Sequence, residues 1–147
     1  MRILFSKFIN GEATHFKEKI AKGLHVEALN VNYNPFHPFK PKIHTIRRNE
    51  PELYDTGVQL EMFYNEGFEF ILNADCTGIE QIFMTYHQGR FEVSIESKYL
   101  YYSDIEKLAF NDGFESYDSF KKYCIGKMGD SQNYAGFIIH WTKFKYT

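Results

Sequence analysis

The chain has 147 residues, a length typical of one domain, and a formal net charge of -2. Hydrophobic residues make up 44% of it and charged residues 24%, a composition that excludes intrinsic disorder as the general state. The slight acidic excess excludes a whole-protein cationic field for long duplexes, so any nucleic-acid contact has to be local. Because no apolar run reaches the roughly 18 residues of a membrane span and the short apolar N-terminus predicts no signal peptide, we expect one cytoplasmic domain over residues 1–147, monomeric and without a membrane partner.

The first part of the chain predicts a strand, a helix and a long loop. "RILFSKF" is a strand candidate, and "EATHFKEKIAKGL" repeats apolar residues every three or four positions, as on one face of a helix that ends near Gly23. Residues 25–41 hold three of the four prolines, which prevents regular structure and predicts a long ordered loop. A strand through His44–Arg47 is expected after it.

The second part predicts a β meander, two helices and a last strand. "VQLEMFY", "FEFILNADCT", "GIEQIFMTYH" and "RFEVSIES" are strand candidates, with "KYLYY" as a candidate fifth. One helix is predicted to begin at Ser103, with Glu106 completing a capping box, and another at Ser116. "FIIHWTKFKY" is a strongly β-prone final strand. This order favours an α+β fold with a twisted or barrel-like mixed sheet and helices at its edges.

The common cofactor and metal motifs are missing from the sequence. It contains no GxGxxG, GxxxxGK[ST], HExxH or CxxC motif, so no cofactor is predicted. His37 and His44 could meet in space, but two ligands without a third do not make a metal site, and we predict none. The spacing of Cys76 and Cys124 suits neither a metal nor a redox pair, which indicates reduced, buried thiols.

Several stretches, taken in order, resemble the ASCH domains of the PUA-like superfamily. "EKIAKGL" followed by "KIHTIR" is similar to the family's helix that leads into a strand bearing Lys and Thr, and "DTGVQLEMF" to its next strand. "LAFNDGFESYDSFKKY" resembles the family's helix pair, and "GFIIHWT" its last strand. The resemblance covers roughly residues 13–64 and 103–142. Here residues 25–41 separate the first two pieces, as in a phage- and Bacteroidetes-like branch, and Thr56-Gly57-Val58 replaces the usual Gly-Asp.

This resemblance implies a small mixed β-barrel with flanking helices and a cleft between the Lys/Thr strand and the helix pair. Members of the superfamily are proposed to bind RNA or modified nucleotides, and one branch removes the acetyl group from acetylcytidine. By position, the catalytic Lys, Thr and Glu of that branch correspond to Lys42, Thr45 and Asp112, and the motif's Arg to Arg47. Asp112 is one methylene shorter than Glu, so its carboxylate is expected about 1–1.5 Å further from a shared target, a displacement that can cost on the order of 10²-fold in rate.

For amide hydrolysis, Thr45 would be the nucleophile or would position a water. A desolvated Lys42 would be the base, Asp112 would orient it, and Arg47 would hold a phosphate or an oxyanion. Regular strand alternation separates Lys42 and His44 from Thr45 and Arg47, so a shared site needs an irregular backbone. The neighbouring Pro41 favours such an irregular start.

A binding site would use the cationic residues of the same stretch. These ligand-binding candidates are Lys40, Lys42, His44, Arg47 and Arg48. The loop aromatics Tyr33, Phe36 and Phe39 either stack on bases or anchor the loop. Each of these residues also has an ordinary structural explanation. Lys42 would be a solvated surface lysine, Thr45 a strand residue and Asp112 part of a helix-end turn. Arg47 and Arg48 would pair at the surface with Glu50 and Glu52.

Three functions follow, in order of preference. The first is an RNA- or modified-nucleotide-binding domain, and the second is an amidohydrolase acting on an acylated nucleoside such as acetylcytidine. The third is a phage-type protein-interaction factor without a small ligand. A charged cavity at Lys42 would favour the first two functions, and an apolar cavity or none would favour the third.

Overall fold

The computed structural model describes residues 1–24, 39–48 and 51–147. Most of the predicted Pro-rich loop, including Tyr33, Phe36 and His37, lies outside these residues, as does Glu50. The described part contains three α-helices and three β-sheets, which confirms the α+β class. None of its helices has both the length and the apolar character needed to cross a bilayer.

The elements are short and close together along the chain. The helices are α1 (Phe16–Gly23), α2 (Tyr102–Asn111) and α3 (Tyr117–Met128). The strands are β1 (Arg2–Phe5), β2 (Phe8–Ile9), β3 (Glu12–Ala13), β4 (His44–Arg47), β5 (Gln59–Tyr64), β6 (Phe70–Asp75), β7 (Gly78–His87), β8 (Arg90–Ile95), β9 (Lys98–Tyr99) and β10 (Asn133–His140). Single 3-10 turns cover Pro51–Leu53, Glu66–Phe68 and Gly129–Ser131.

The strands divide into separate sheets rather than closing into one barrel within the described residues. An antiparallel sheet has the order β4-β10-β7-β8-β9, and a second sheet, β1-β5-β6, pairs β1 in parallel with β5. The predicted meander therefore breaks between β6 and β7. There the N–H of Cys76 bonds to Val58, whereas the N–H of Thr77 bonds to His140, so the chain changes sheets across two residues.

Two hydrophobic cores lie on opposite sides of β10. Ile138 packs with Leu108 of α2 and Phe120 of α3, and Ile139 packs with Phe16 of α1. Adjacent strand residues point to opposite faces, so β10 separates a core under α2 and α3 from a core under α1. Cys76 and Cys124 are buried free thiols, one in each core, as predicted.

The predicted helix boundaries are partly wrong. Helix α1 begins only at Phe16 because His15 adopts a left-handed conformation (φ 52°), and the residues before it form the β2–β3 hairpin. Helix α2 is capped by Tyr101, whose N–H donates to the Asp104 carboxylate at 3.3 Å, and not by Ser103. The predicted cap of α3 is confirmed, because Ser116 Oγ accepts the N–H of Ser119 at 3.1 Å.

Glycines end α1 and α2 where both helices meet residue 42. A Cβ on Gly23 would lie 2.8 Å from the carbonyl oxygen of Lys42. Gly113 has φ +93°, and a Cβ there would lie 2.7 Å from the Phe16 ring and 2.9 Å from Lys42 Cδ. The two glycines therefore allow the helix ends to close on both the backbone and the side chain of Lys42.

We expect Gly113→Ala to lower the free energy of unfolding by at least about 2 kcal/mol, because it adds left-handed strain to a steric conflict with Phe16. The matched control is Gly126→Ala in α3, where an added Cβ meets nothing within 4 Å. That change should stabilise the protein by about 0.5–1 kcal/mol through helix propensity. Urea denaturation measures both, and equal effects at the two glycines would contradict the packing argument.

Candidate functional site

A cavity of about 470 Å³ opens beside β4, in the size range of small-molecule sites. Strands β1, β4 and β10 contribute to its walls, together with the end of α2 and one face of α3. Its lining includes Lys42, Thr45, Arg47 and Asp112. The four residues carried over from the resemblance therefore share one cavity.

Lys42 is buried, with only 2% of its surface exposed, so its interpretation as a solvated lysine is wrong. It lies before β4 begins, where its N–H donates to the carbonyl of Lys19 at 3.0 Å. The next N–H, of Ile43, donates to the carbonyl of Asn111 at 2.9 Å. These bonds to the ends of α1 and α2 replace strand pairing, so the alternation that would separate Lys42 from Thr45 does not apply.

The Lys42 ammonium forms a buried ion pair with Asp112. Nζ lies 3.2 Å from Asp112 Oδ1 and donates to the Asp112 carbonyl at 2.5 Å. Aromatic rings surround it, with the Phe16 centroid 4.6 Å away. Burial lowers the pKa of Lys42 to about 8, although the Asp112 charge opposes that shift. Lys42 is therefore mostly charged at neutral pH and becomes neutral as the pH rises above about 8.

Asp112 carries its charge despite complete burial. Burial alone would raise the pKa of Asp112, but the Lys42 charge and the nearby His44 outweigh it, so the net shift is downward. His44 Nδ1 lies 3.3 Å from Oδ1, close to the carboxylate but without the geometry of a hydrogen bond. Although Asp112 is one methylene shorter than a glutamate, its carboxylate still reaches Lys42, because Gly113 lets the end of α2 approach the lysine closely.

His44 supports the site from behind rather than lining the cavity. It is fully buried, and Nε2 shares a 2.7 Å hydrogen bond with the hydroxyl of Tyr146, which also accepts from Asn111. Burial lowers the pKa of His44, which favours the neutral ring. His140 is also buried and bonds to Glu80 at 2.8 Å.

Thr45 presents a free hydroxyl to the cavity. Its side chain is 5% exposed and makes no hydrogen bond to any residue that the structure describes. Arg47 lines the same cavity, and its Nη2 donates to the carbonyl of Leu4 at 2.8 Å. Arg48 lies at the exposed edge, whereas Lys40 points away and covers the ring of Phe110. The structure therefore brings Thr45, Arg47 and Arg48 to the cavity, but not Lys40.

The resemblance implies that the helix pair borders the cleft, but no residue of α3 was predicted to line it. Phe120, Tyr123 and Cys124 share one helical face in the sequence, which indicates only a core face. In the structure this face also lines the cavity, together with Lys127 one turn later. A lysine four residues after Tyr123 on an otherwise apolar face is the signal that could have revealed it.

No protein-family model, curated protein or solved structure matches this chain. The resemblance to ASCH domains therefore stays a prediction carried by the motifs and by the residues that meet at the cavity. Within residues 1–24, 39–48 and 51–147, no group of three or more His, Cys, Asp or Glu side chains is placed to hold a metal ion. His37, considered above together with His44, lies outside those ranges.

We expect Asp112→Ala to lower the free energy of unfolding by about 3 kcal/mol at pH 7, because it leaves the Lys42 charge buried without a partner. This loss should shrink as pH rises through about 8, where Lys42 of the unsubstituted protein also becomes neutral and loses its attraction to Asp112. Lys42→Met combined with Asp112→Ala should recover most of the stability, since a thioether packs well among the rings. Denaturant titrations of Asp112→Ala, Lys42→Met and the double variant measure this, and additive losses would contradict a coupled pair.

Proposed function

We propose that the protein binds a modified nucleoside or nucleotide, free or within RNA, in the cavity beside β4. The observation that carries this proposal is the Thr45 hydroxyl, which has no described hydrogen-bond partner, in the same cavity of about 470 Å³ as the Lys42–Asp112 pair. Thr45 can donate and accept, Lys42 donates and Asp112 accepts, which suits the mixed edge of a nucleobase. Phe114 and Tyr123 supply aromatic surface for stacking.

The sequence resemblance supports the same proposal. Its Lys, Thr and Arg positions, which are close together in the chain, and its distant acidic position line one cavity here. We therefore retain the PUA-like, ASCH-type fold as part of the proposal. The charge of this cavity favours a small ligand over a phage-type interaction factor, for which an apolar cavity or none was expected.

We expect Thr45→Val to weaken ligand binding about tenfold, because it replaces the free hydroxyl by a methyl group of similar size. The melting temperature should stay within about 2 °C, since that hydroxyl has no described partner to lose. Thr45→Ser, which keeps the hydroxyl, is the matched control and should restore binding. Isothermal titration with cytidine, N4-acetylcytidine and a short single-stranded RNA measures this; equal affinities of Thr45→Val and the unsubstituted protein would exclude the site.

A second candidate function is hydrolysis of an acylated exocyclic amine, favoured by the pKa of about 8 for Lys42, which lines the same cavity as Thr45. Neutral Lys42 would take the proton of the Thr45 hydroxyl, or of a water it holds, as the oxygen attacks the amide carbon. The C–N bond then breaks and the proton passes to the leaving amine. If Thr45 attacks, water releases the acyl group from it. Asp112 positions Lys42, and Arg47 is the candidate donor to the oxyanion.

If the protein is this hydrolase, the rate of acetate release from N4-acetylcytidine should increase with pH through about 8, as Lys42 loses its proton. Lys42→Arg should abolish turnover because a guanidinium keeps its proton. Lys98→Arg, an exposed change on β9, is the matched control and should leave the rate unchanged. Absence of turnover at high enzyme concentration would exclude this activity for that substrate and leave the binding proposal intact.

A further inference from the structure

We propose that Arg47, Arg48 and Lys127 form a phosphate subsite at the mouth of the cavity. The ligand is then a phosphorylated nucleotide, either free or part of a strand, rather than a neutral nucleoside. The nucleoside part of this ligand rests on the proposed function, whereas the anion subsite is argued from its own residues.

The first argument is an uncompensated charge. Four cationic side chains line the cavity, and the only carboxylate among its described lining residues is Asp112, which is already paired with Lys42. Arg47, Arg48 and Lys127 form no ion pair with a carboxylate of the described residues, and Glu52, a predicted partner of the arginines, is not placed to form one. A local excess of three positive charges in a chain of net charge -2 is the pattern expected of an anion site.

The second argument is the way in which Arg47 is held. Its guanidinium lies 5.1 Å from the centre of the Phe5 ring, and Nη2 donates to the carbonyl of Leu4. No other donor of this guanidinium has a described acceptor, and Nε is buried without one. An unpaired buried donor is destabilising, and an anion with several acceptor oxygens can satisfy several such donors at once. Arg47 is therefore positioned and still has donors to offer.

The third argument is the arrangement of Arg48 and Lys127 around the opening. Arg48 lies 4.5 Å from the centre of the Tyr134 ring and donates to the Lys127 carbonyl at 3.3 Å. Lys127 Nζ lies 5.3 Å from the centre of the Tyr123 ring. The Arg48 guanidinium and the Lys127 side chain both lie near the last turn of α3, where positive charge offsets the negative end of the helix dipole. That contact uses one donor of Arg48 and leaves the ammonium of Lys127 free of described carboxylates.

The positions of these groups divide the cavity into two ends. Lys42, Thr45 and Asp112 are nearly buried, whereas Arg48 and Lys127 are exposed. A base that reaches the buried end would leave its sugar and phosphate near the exposed cations. A phosphomonoester of a free nucleotide and a phosphodiester of a strand offer the same oxygens, so the shared chemistry is the phosphate.

The test compares cytidine, cytidine 5′-monophosphate, inorganic phosphate and a four-nucleotide single-stranded RNA by titration at low and moderate salt. We expect the monophosphate to bind at least about tenfold more tightly than cytidine at low salt, and this gap to close in Arg48→Gln and in Lys127→Gln. Lys122→Gln removes an exposed cation of the same helix that does not line this cavity, and it should keep the gap. Tighter binding of the RNA with a steeper salt dependence would identify a strand as the source of the phosphate.

Failures of the two proposals can be distinguished. Equal binding of cytidine and its monophosphate would overturn the phosphate subsite and leave the nucleoside site standing. Inorganic phosphate bound competitively with the monophosphate, without any affinity for cytidine, would support the subsite and contradict the nucleoside site. No binding of any of the four probes would overturn both.

Discussion

The buried ion pair between Lys42 and Asp112 determines where the parts of this molecule meet. Transfer of two charges out of water costs several kcal/mol per ion, so the pair is tolerable only when its geometry satisfies both partners. Here Asp112 gives Lys42 a carboxylate oxygen and a backbone carbonyl, and Lys19 and Asn111 fix the backbone around residue 42. The ends of α1 and α2 and the start of β4 are therefore held at one point.

This constraint explains several local features together. The two helices have to end against the lysine, which requires glycine at residues 23 and 113. Asp112 has to keep its charge, and a neutral His44 held by Tyr146 lies behind it. An apolar replacement of a buried pair is often as stable or more stable. A charged pair that lines a cavity, with a lysine pKa moved toward neutrality, is therefore what the proposed ligand site would need.

The sequence predicted the local elements well and the long-range contacts poorly. The bounds of β4 and the Ser116 cap follow from patterns within a few residues, and both are correct. The division of the meander was not predictable, because it depends on β1 pairing with β5 and on β10 lying between β4 and β7. These pairings join residues far apart in the chain, and periodicity carries no information about them.

The site shows the same contrast at the level of single residues. The resemblance brought Lys42, Thr45, Arg47 and Asp112 together, yet no local pattern separates a buried Lys42 from a solvated Lys40. The difference arises because Pro41 and the ends of the helices direct Lys42 inward, whereas Lys40 covers the ring of Phe110 at the surface. Lys127 was overlooked for the converse reason: its α3 face looks like an ordinary core face until the fold places it beside β4.

The charges at the two ends of the cavity have a joint consequence for an anionic ligand. Below pH 8 the charged Lys42 balances Asp112, so the buried end is close to neutral overall. When Lys42 gives up its proton to act as a base, Asp112 leaves that end negative, which would repel a phosphate placed nearby. The other cationic side chains of the cavity are those of Arg47, Arg48 and Lys127. They would hold an anionic ligand in place under the conditions in which neutral Lys42 can accept a proton. Anion binding at the exposed end and proton transfer at the buried end would then be complementary functions of one site.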